Sequence, residues 1–228
     1  MNKEEFKNLQ PELYGELEKT ILNNAFPCLY AKSSLKKGEM LFYTFNDLEE
    51  FNKEIKNSMN NYISLIDSCQ CPRSKSYKTA LFIIIRNETA TPTEKILRLL
   101  ETTHKQDPSE WPHEKTKNMD DQDFEFYWSG RVFFPVILSP DHPSTIRKSP
   151  YFIFALQPGA VFDYNKKNRP DFYERMRKGT HKIISRTYGE EKPFYLSEKS
   201  TGKNICQYAG EDMKEHISDY IYPTLNKY

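Results

Sequence analysis

Glycine is scarce in this chain, eight residues in 228. No phosphate-cradling glycine loop appears, and so few glycines argue against a dinucleotide fold. There is no HExxH zinc helix and no nucleophile elbow completing a Ser-His-Asp pattern. The four cysteines, at 28, 69, 71 and 206, are too few for a disulfide framework in a chain this long. Cys69-Gln70-Cys71 is too tightly spaced for ordinary zinc binding and has no matching pair, so it reads as a loop carrying two thiols. Charge of one sign is also missing. With 33 basic and 32 acidic residues there is no global field to draw in nucleic acid or an anionic membrane. No apolar run approaches the ~20 residues of a membrane span. The longest, Ala80–Ile85, has the length of a buried strand. The first residues, MNKEEFKNLQPELYGELEK, are charged and lack the apolar stretch of a secretion signal. A soluble, cytoplasmic protein is expected.

Aromatic residues, by contrast, are abundant at 14% and argue for a packed core, because they bury the most area per residue. Apolar spacing near 3.6 predicts a helix over residues 3–24, broken at Pro11. Cys28–Ala31 is expected to be extended, with a turn at Lys36-Lys37-Gly38 and an alternating strand over Met40–Phe45. A helix capped by Asn46 or Asp47 runs to about Ile66. A strand follows at Thr79–Arg86, then a helix opening near Pro92. After an irregular acidic stretch, 107–123, a β-hairpin turns at Ser129-Gly130. A strand over Tyr151–Gln157, a basic helix over 172–184 capped by Asp171, and a loop-rich tail with a short helix near 212–220 complete the pattern. The fold class expected is α+β: a mainly antiparallel central sheet flanked by helices, in one domain spanning 1–228.

Two short segments carry the candidate chemistry, Phe26-Pro27-Cys28 and Asp141-His142-Pro143. Cysteine and histidine are common haem-iron ligands, and each stands beside a proline at the edge of an expected strand. His142 is either an axial ligand or a turn residue packed on Pro143. Arg147 and Lys148 follow it and are suited to haem propionates, or form a solvated basic loop. Cys28 has apolar neighbours, so without a metal it is an inert core thiol. With one it is a thiolate ligand, or it lines the open face of the haem together with Phe26 and Pro27. Of these, the pocket role is preferred, because His142 is expected in the more exposed loop. Lys32 faces the same site or solvent. Trp111, Trp128, Phe126 and Phe133 suit either a core or a flat-ligand pocket, and aromatic spacing does not separate the two. His104, His113, His181 and His216 sit in polar contexts and are expected at the surface.

The ordered segments FPCLYAKSSL, DFEFYWSGRVFFPVILSPDHP, Arg147, FALQPGAVFD and CQYAGE resemble the YqcI/YcgG family over roughly residues 20–213. That resemblance implies a fold enclosing a haem pocket, and an enzyme with b-type haem that oxidises nitrogen in an amine- or guanidine-bearing small molecule. It implies O2 or peroxide as oxidant, with an external electron donor if O2 is used. It favours His142 as the iron ligand and puts Cys28 in a motif shared near the N-terminus. One departure stands out: where relatives carry an Arg pair and Phe after the retained Arg147, this chain has Ser149-Pro150 and Tyr151. Asp120, Asp121 or Asp123 would pair with a guanidinium or ammonium. A haem- or gas-binding sensor without turnover, and a structural protein in which both residues only pack, are the rival readings.

Overall fold

The structure, a computed structural model, describes residues 1–68, 78–87, 92–189 and 204–210. Within these, the fold is α+β, with a five-stranded sheet and eight helices. Strands β1 (Met40–Phe45), β2 (Ala80–Ile85), β3 (Phe126–Trp128), β4 (Arg131–Leu138) and β5 (Phe152–Pro158) lie in the order β1-β2-β5-β4-β3. The sheet is mixed rather than mainly antiparallel. β1 and β2 pair in parallel, while the β2–β5, β5–β4 and β4–β3 pairs are antiparallel. The reason is the connection between β1 and β2. It contains the 20-residue helix α4 (Leu48–Asp67), a crossover long enough to return the chain in the same direction.

β2 shows how the layers are built. All six of its residues are buried. Leu81, Ile83 and Ile85 belong to one core cluster, and Ala80, Phe82 and Ile84 to the other, as period-two alternation requires. The first face is covered by α4, by α5 (Pro92–Gln106) and by the short helix α8 (Asn204–Ala209). On α4, Phe51, Ile55, Met59, Tyr62 and Ile66 form one buried stripe. Burying each such side chain contributes roughly 1.5–3 kcal/mol. The second face is covered by α1 (Lys3–Leu9), α2 (Pro11–Leu22) and α3 (Leu29–Lys37), through Phe6, Leu13, Leu17, Ile21 and Leu35.

Local signals explain most boundaries. Pro11 sits at the first position of α2 and splits the long N-terminal helix as expected. The Asp47 side chain accepts the Glu50 N–H and caps α4. Ser129 and Gly130 both adopt left-handed backbone angles, φ 48° and 68°, which a two-residue turn between twisted strands needs.

Three further expectations fail. Cys28–Ala31 is not a strand: α3 begins at Leu29, and Cys28 is its N-cap, with Sγ accepting the Ala31 N–H at 3.3 Å. α6 (Gly159–Asn168) follows β5 directly, in a stretch where the sequence pattern predicts no element. α7 runs from Pro170 to Tyr188, starts on Pro170 rather than on an Asp171 cap, and is longer than its apolar stripe indicated. α8 interrupts the tail that read as loop. The pair Cys69 and Cys71, and the helix expected near 212–220, lie outside the described residues.

Candidate functional site

At the end of β4 the chain forms a closed loop. The Ser139 N–H donates to the Arg147 carbonyl at 3.1 Å, and the Ser149 N–H donates back to the Ser139 carbonyl at 3.1 Å. A 3-10 turn, Thr145–Arg147, completes it. This loop carries His142, Arg147 and Lys148.

His142 is fully buried, contrary to its expected place in an exposed loop. Its Nδ1 accepts the Ser144 N–H at 3.0 Å, so the ring proton is on Nε2, which donates to the Ala209 carbonyl at 2.8 Å. Burial holds its pKa down at about 4, with the nearby Arg147 charge acting in the same direction and the Ala209 bond opposing. The ring is therefore neutral at physiological pH, and both nitrogens are engaged by backbone. Arg147 is held by backbone as well, through two of its five N–H donors. It donates to the carbonyls of Gln207 at 2.9 Å and Ile137 at 3.4 Å. Together the two side chains hold the carbonyl end of α8, where unpaired C=O groups favour donors and positive charge. Gly210 ends that helix at φ +75°, and a Cβ there would lie 3.0 Å from His142 Nε2. The Tyr188 hydroxyl, from the end of α7, bonds the Ser144 side chain and accepts the Ile146 N–H at 3.4 Å. Lys148 is exposed.

Cys28 lies within electrostatic reach of this loop. Arg147 is close enough for its charge to bear on both Cys28 and His142. By accessible area the cysteine is exposed. Even so, surrounding protein desolvates the thiol and pushes its pKa up, against the opposing pull of the Ala31 N–H, Arg147, the Tyr30 N–H and Lys32. Phe26 is buried in the core of the helix α1–α3 face. The Pro27 carbonyl accepts the Thr180 hydroxyl at 3.1 Å, which ties the segment to α7. Lys32 is partly buried and responds to the Cys28 charge, and desolvation lowers its pKa.

The structure thus brings Lys32 and Arg147 within electrostatic reach of Cys28, and Arg147 also bears on His142. It separates them from other candidates. Trp111, Trp128, Phe126 and Phe133 are core residues on the α4–α5 face, whereas Phe26 is in the core of the opposite face. Asp121 and Asp123 line a different cleft, about 450 Å³, with Glu114, Lys115, Glu125 and Asn204. Of the other histidines, His104 is fully buried, edge-on to Trp111 at 5.0 Å, and His181 is partly buried, so neither fits the expected surface position. His113 is exposed, and His216 lies outside the described residues.

Sequence reasoning missed Tyr30. Its ring meets Phe162 edge-on at 5.4 Å and Phe172 at 6.2 Å. Desolvation pushes its pKa up to about 12, with smaller contributions from Tyr173 and Cys28, so the phenol remains a hydrogen-bond donor. It also missed Ser144, Tyr188 and Thr180, for which the sequence carries no periodic or motif signal.

These features define a small α+β protein with a thiol and two cationic side chains gathered near the end of β4. The chain belongs to the YqcI/YcgG family, which it matches over residues 17–219. It is similar to "Uncharacterized protein YqcI" of Bacillus subtilis (strain 168), 31% identical over 67 residues, or 29% of this chain and 26% of that protein. That match therefore spans about a quarter of the relative's length. No solved structure matches the chain. No helix among the described residues is long and apolar enough to cross a membrane.

Proposed function

We propose that this protein binds b-type haem and oxidises a nitrogen atom of a small amine- or guanidine-bearing molecule, with Cys28 as the iron ligand. The observation that carries this reading is the grouping of the thiol of an exposed residue, Cys28, with Lys32 and Arg147 within electrostatic reach. A thiol and cations are the donor set that an iron and two propionates require. His142 fits less well, because both ring nitrogens already bond backbone and the ring is closed to solvent. In this proposal His142 is a positioning residue that orders Arg147 and α8.

Haem, when bound, supplies the oxidising chemistry, with peroxide or with O2 and an external electron donor. The chain's own residues do the rest. Deprotonation of Cys28 is assisted by the Ala31 N–H and by the Lys32 and Arg147 charges, which offset the desolvation of the thiolate. Lys32 and Arg147 neutralise carboxylates, with Lys148 at the exposed edge of the same loop. Phe26 anchors the segment before Cys28 in the core, and the Thr180 bond to Pro27 fixes it against α7. The carboxylates expected to hold a guanidinium line a separate cleft, so substrate recognition at Cys28 rests on other residues.

The test is an absorption spectrum of protein produced with haem supply. A haem band that Cys28→Ser abolishes or converts, and a thiolate-type ferrous carbonyl spectrum, are expected. A band that survives Cys28→Ser unchanged and is lost in folded His142→Ala would return the ligand to histidine. Absence of any haem band in wild type would overturn the reading. Incubation of the haem form with amines, guanidines and peroxide, followed by mass analysis, separates enzyme from sensor, since a sensor yields no oxygenated product.

A further inference from the structure

Beside Cys28 the hydroxyl oxygen of Tyr30 is shielded from solvent and meets no hydrogen-bond partner. Buried polar groups are nearly always paired, and an unpaired one destabilises the fold, so each exception has a cause. Loose packing is not the cause here. The ring is held edge-on by Phe162 and Phe172, and a phenylalanine would occupy the same place without the orphaned oxygen.

Arg169, the residue before α7, is the second feature. Its guanidinium lies 4.4 Å over the Phe172 ring, on the same aromatic group that seats Tyr30, and its charge reaches the Tyr30 hydroxyl. Arg169 is exposed, and among the described residues its side chain has no carboxylate partner. The groups that bear on the Tyr30 hydroxyl are Tyr173, Cys28 and Arg169, with no acidic residue among them. A buried phenol donor and a stacked, unpaired guanidinium on one aromatic group make the protein half of a carboxylate site.

We propose that Tyr30 and Arg169 form a carboxylate-binding subsite beside Cys28, where α3 meets the start of α7. The subsite rests on the haem reading only for the source of the carboxylate, which is either a cofactor propionate or the acid group of the substrate.

Two variants test it, Tyr30→Phe and Arg169→Gln. In the ligand-free protein Tyr30→Phe should be as stable as wild type or more so, because it removes an unpaired oxygen. A stability loss as large as that of a core truncation would show the hydroxyl to be structural and overturn the proposal. Haem is then titrated against haem dimethyl ester. If a propionate is bound, wild type prefers the free acid by about tenfold and both variants lose the preference. Separately, arginine and lysine are titrated against their amides, with the haem protein or, if no haem binds, with the protein alone. If the substrate acid is bound, a similar preference for the acid is seen and both variants lose it. No acid preference in either titration, or one that survives both substitutions, overturns the subsite. An acid-over-amide preference in a protein that takes up no haem would sink the haem reading and leave the subsite standing.

Discussion

The His142 imidazole donates from Nε2 to the carbonyl of Ala209, 67 residues further along the chain, at 2.8 Å. With Arg147 bonding the Gln207 carbonyl, this contact makes one assembly of the loop after β4 and the end of α8. Two segments that stand out in the sequence, DHP with its following arginine and CQYAG, are therefore the two halves of a helix clasp.

Truncating this histidine should be costly for stability. His142→Ala leaves the Ser144 N–H and the Ala209 carbonyl without partners and opens a cavity. A loss of about 3 kcal/mol is expected from such a combination. Urea unfolding of the two proteins measures it, and a change below about 1 kcal/mol would mean that the clasp is dispensable.

The same residue sets a pH dependence. Its folded pKa, about 4, lies below the ordinary 6.5, so the unfolded chain binds the extra proton first. Its contribution is complete above roughly pH 6.5 and is lost as pH falls towards 4, by at most roughly 3 kcal/mol. Urea midpoints across this range should fall with acid more steeply in wild type than in His142→Asn. Parallel slopes would mean that the ring is not held neutral.

Gly210 tests the clasp from the other side. At φ +75°, with its would-be Cβ 3.0 Å from His142 Nε2 and 3.1 Å from Arg147 Cγ, Gly210→Ala is strained in backbone and contact alike. A loss of about 1–3 kcal/mol is expected. Thermal unfolding reads it, and an unchanged midpoint would place α8 elsewhere.

Cys28 should react slowly although it is accessible. Desolvation raises its pKa, so at neutral pH the thiolate fraction is smaller than for a free thiol. Alkylation followed by mass analysis should label Cys28 more slowly than a small free thiol at pH 7 and go on accelerating at alkaline pH after the free thiol has levelled off. Haem, if liganded by this residue, should suppress the reaction at every pH.

Much of the fold is legible residue by residue. Pro11 breaks the first helix, Asp47 caps α4, and Ser129-Gly130 closes a hairpin, because each is a local steric or hydrogen-bonding signal. The α3 start was missed for a local reason too: a cysteine N-cap is uncommon, and the apolar FPCLYA string mimics a strand end. The sheet is mixed rather than mainly antiparallel because β1 pairs in parallel with β2, and the sequence shows α4 and both strands without showing which way the chain returns.

For the site, the sequence determined which residue types are present and which segments belong together, since FPC, DHP with Arg147, and CQYAG already stood out in the text. Only the tertiary structure decided their exposure and partners. It exposed Cys28, buried His142, and spent both of its nitrogens on backbone. Burial and hydrogen bonding of a side chain depend on what arrives from distant parts of the chain, here Ala209 and Arg147, and no local spacing encodes that arrival.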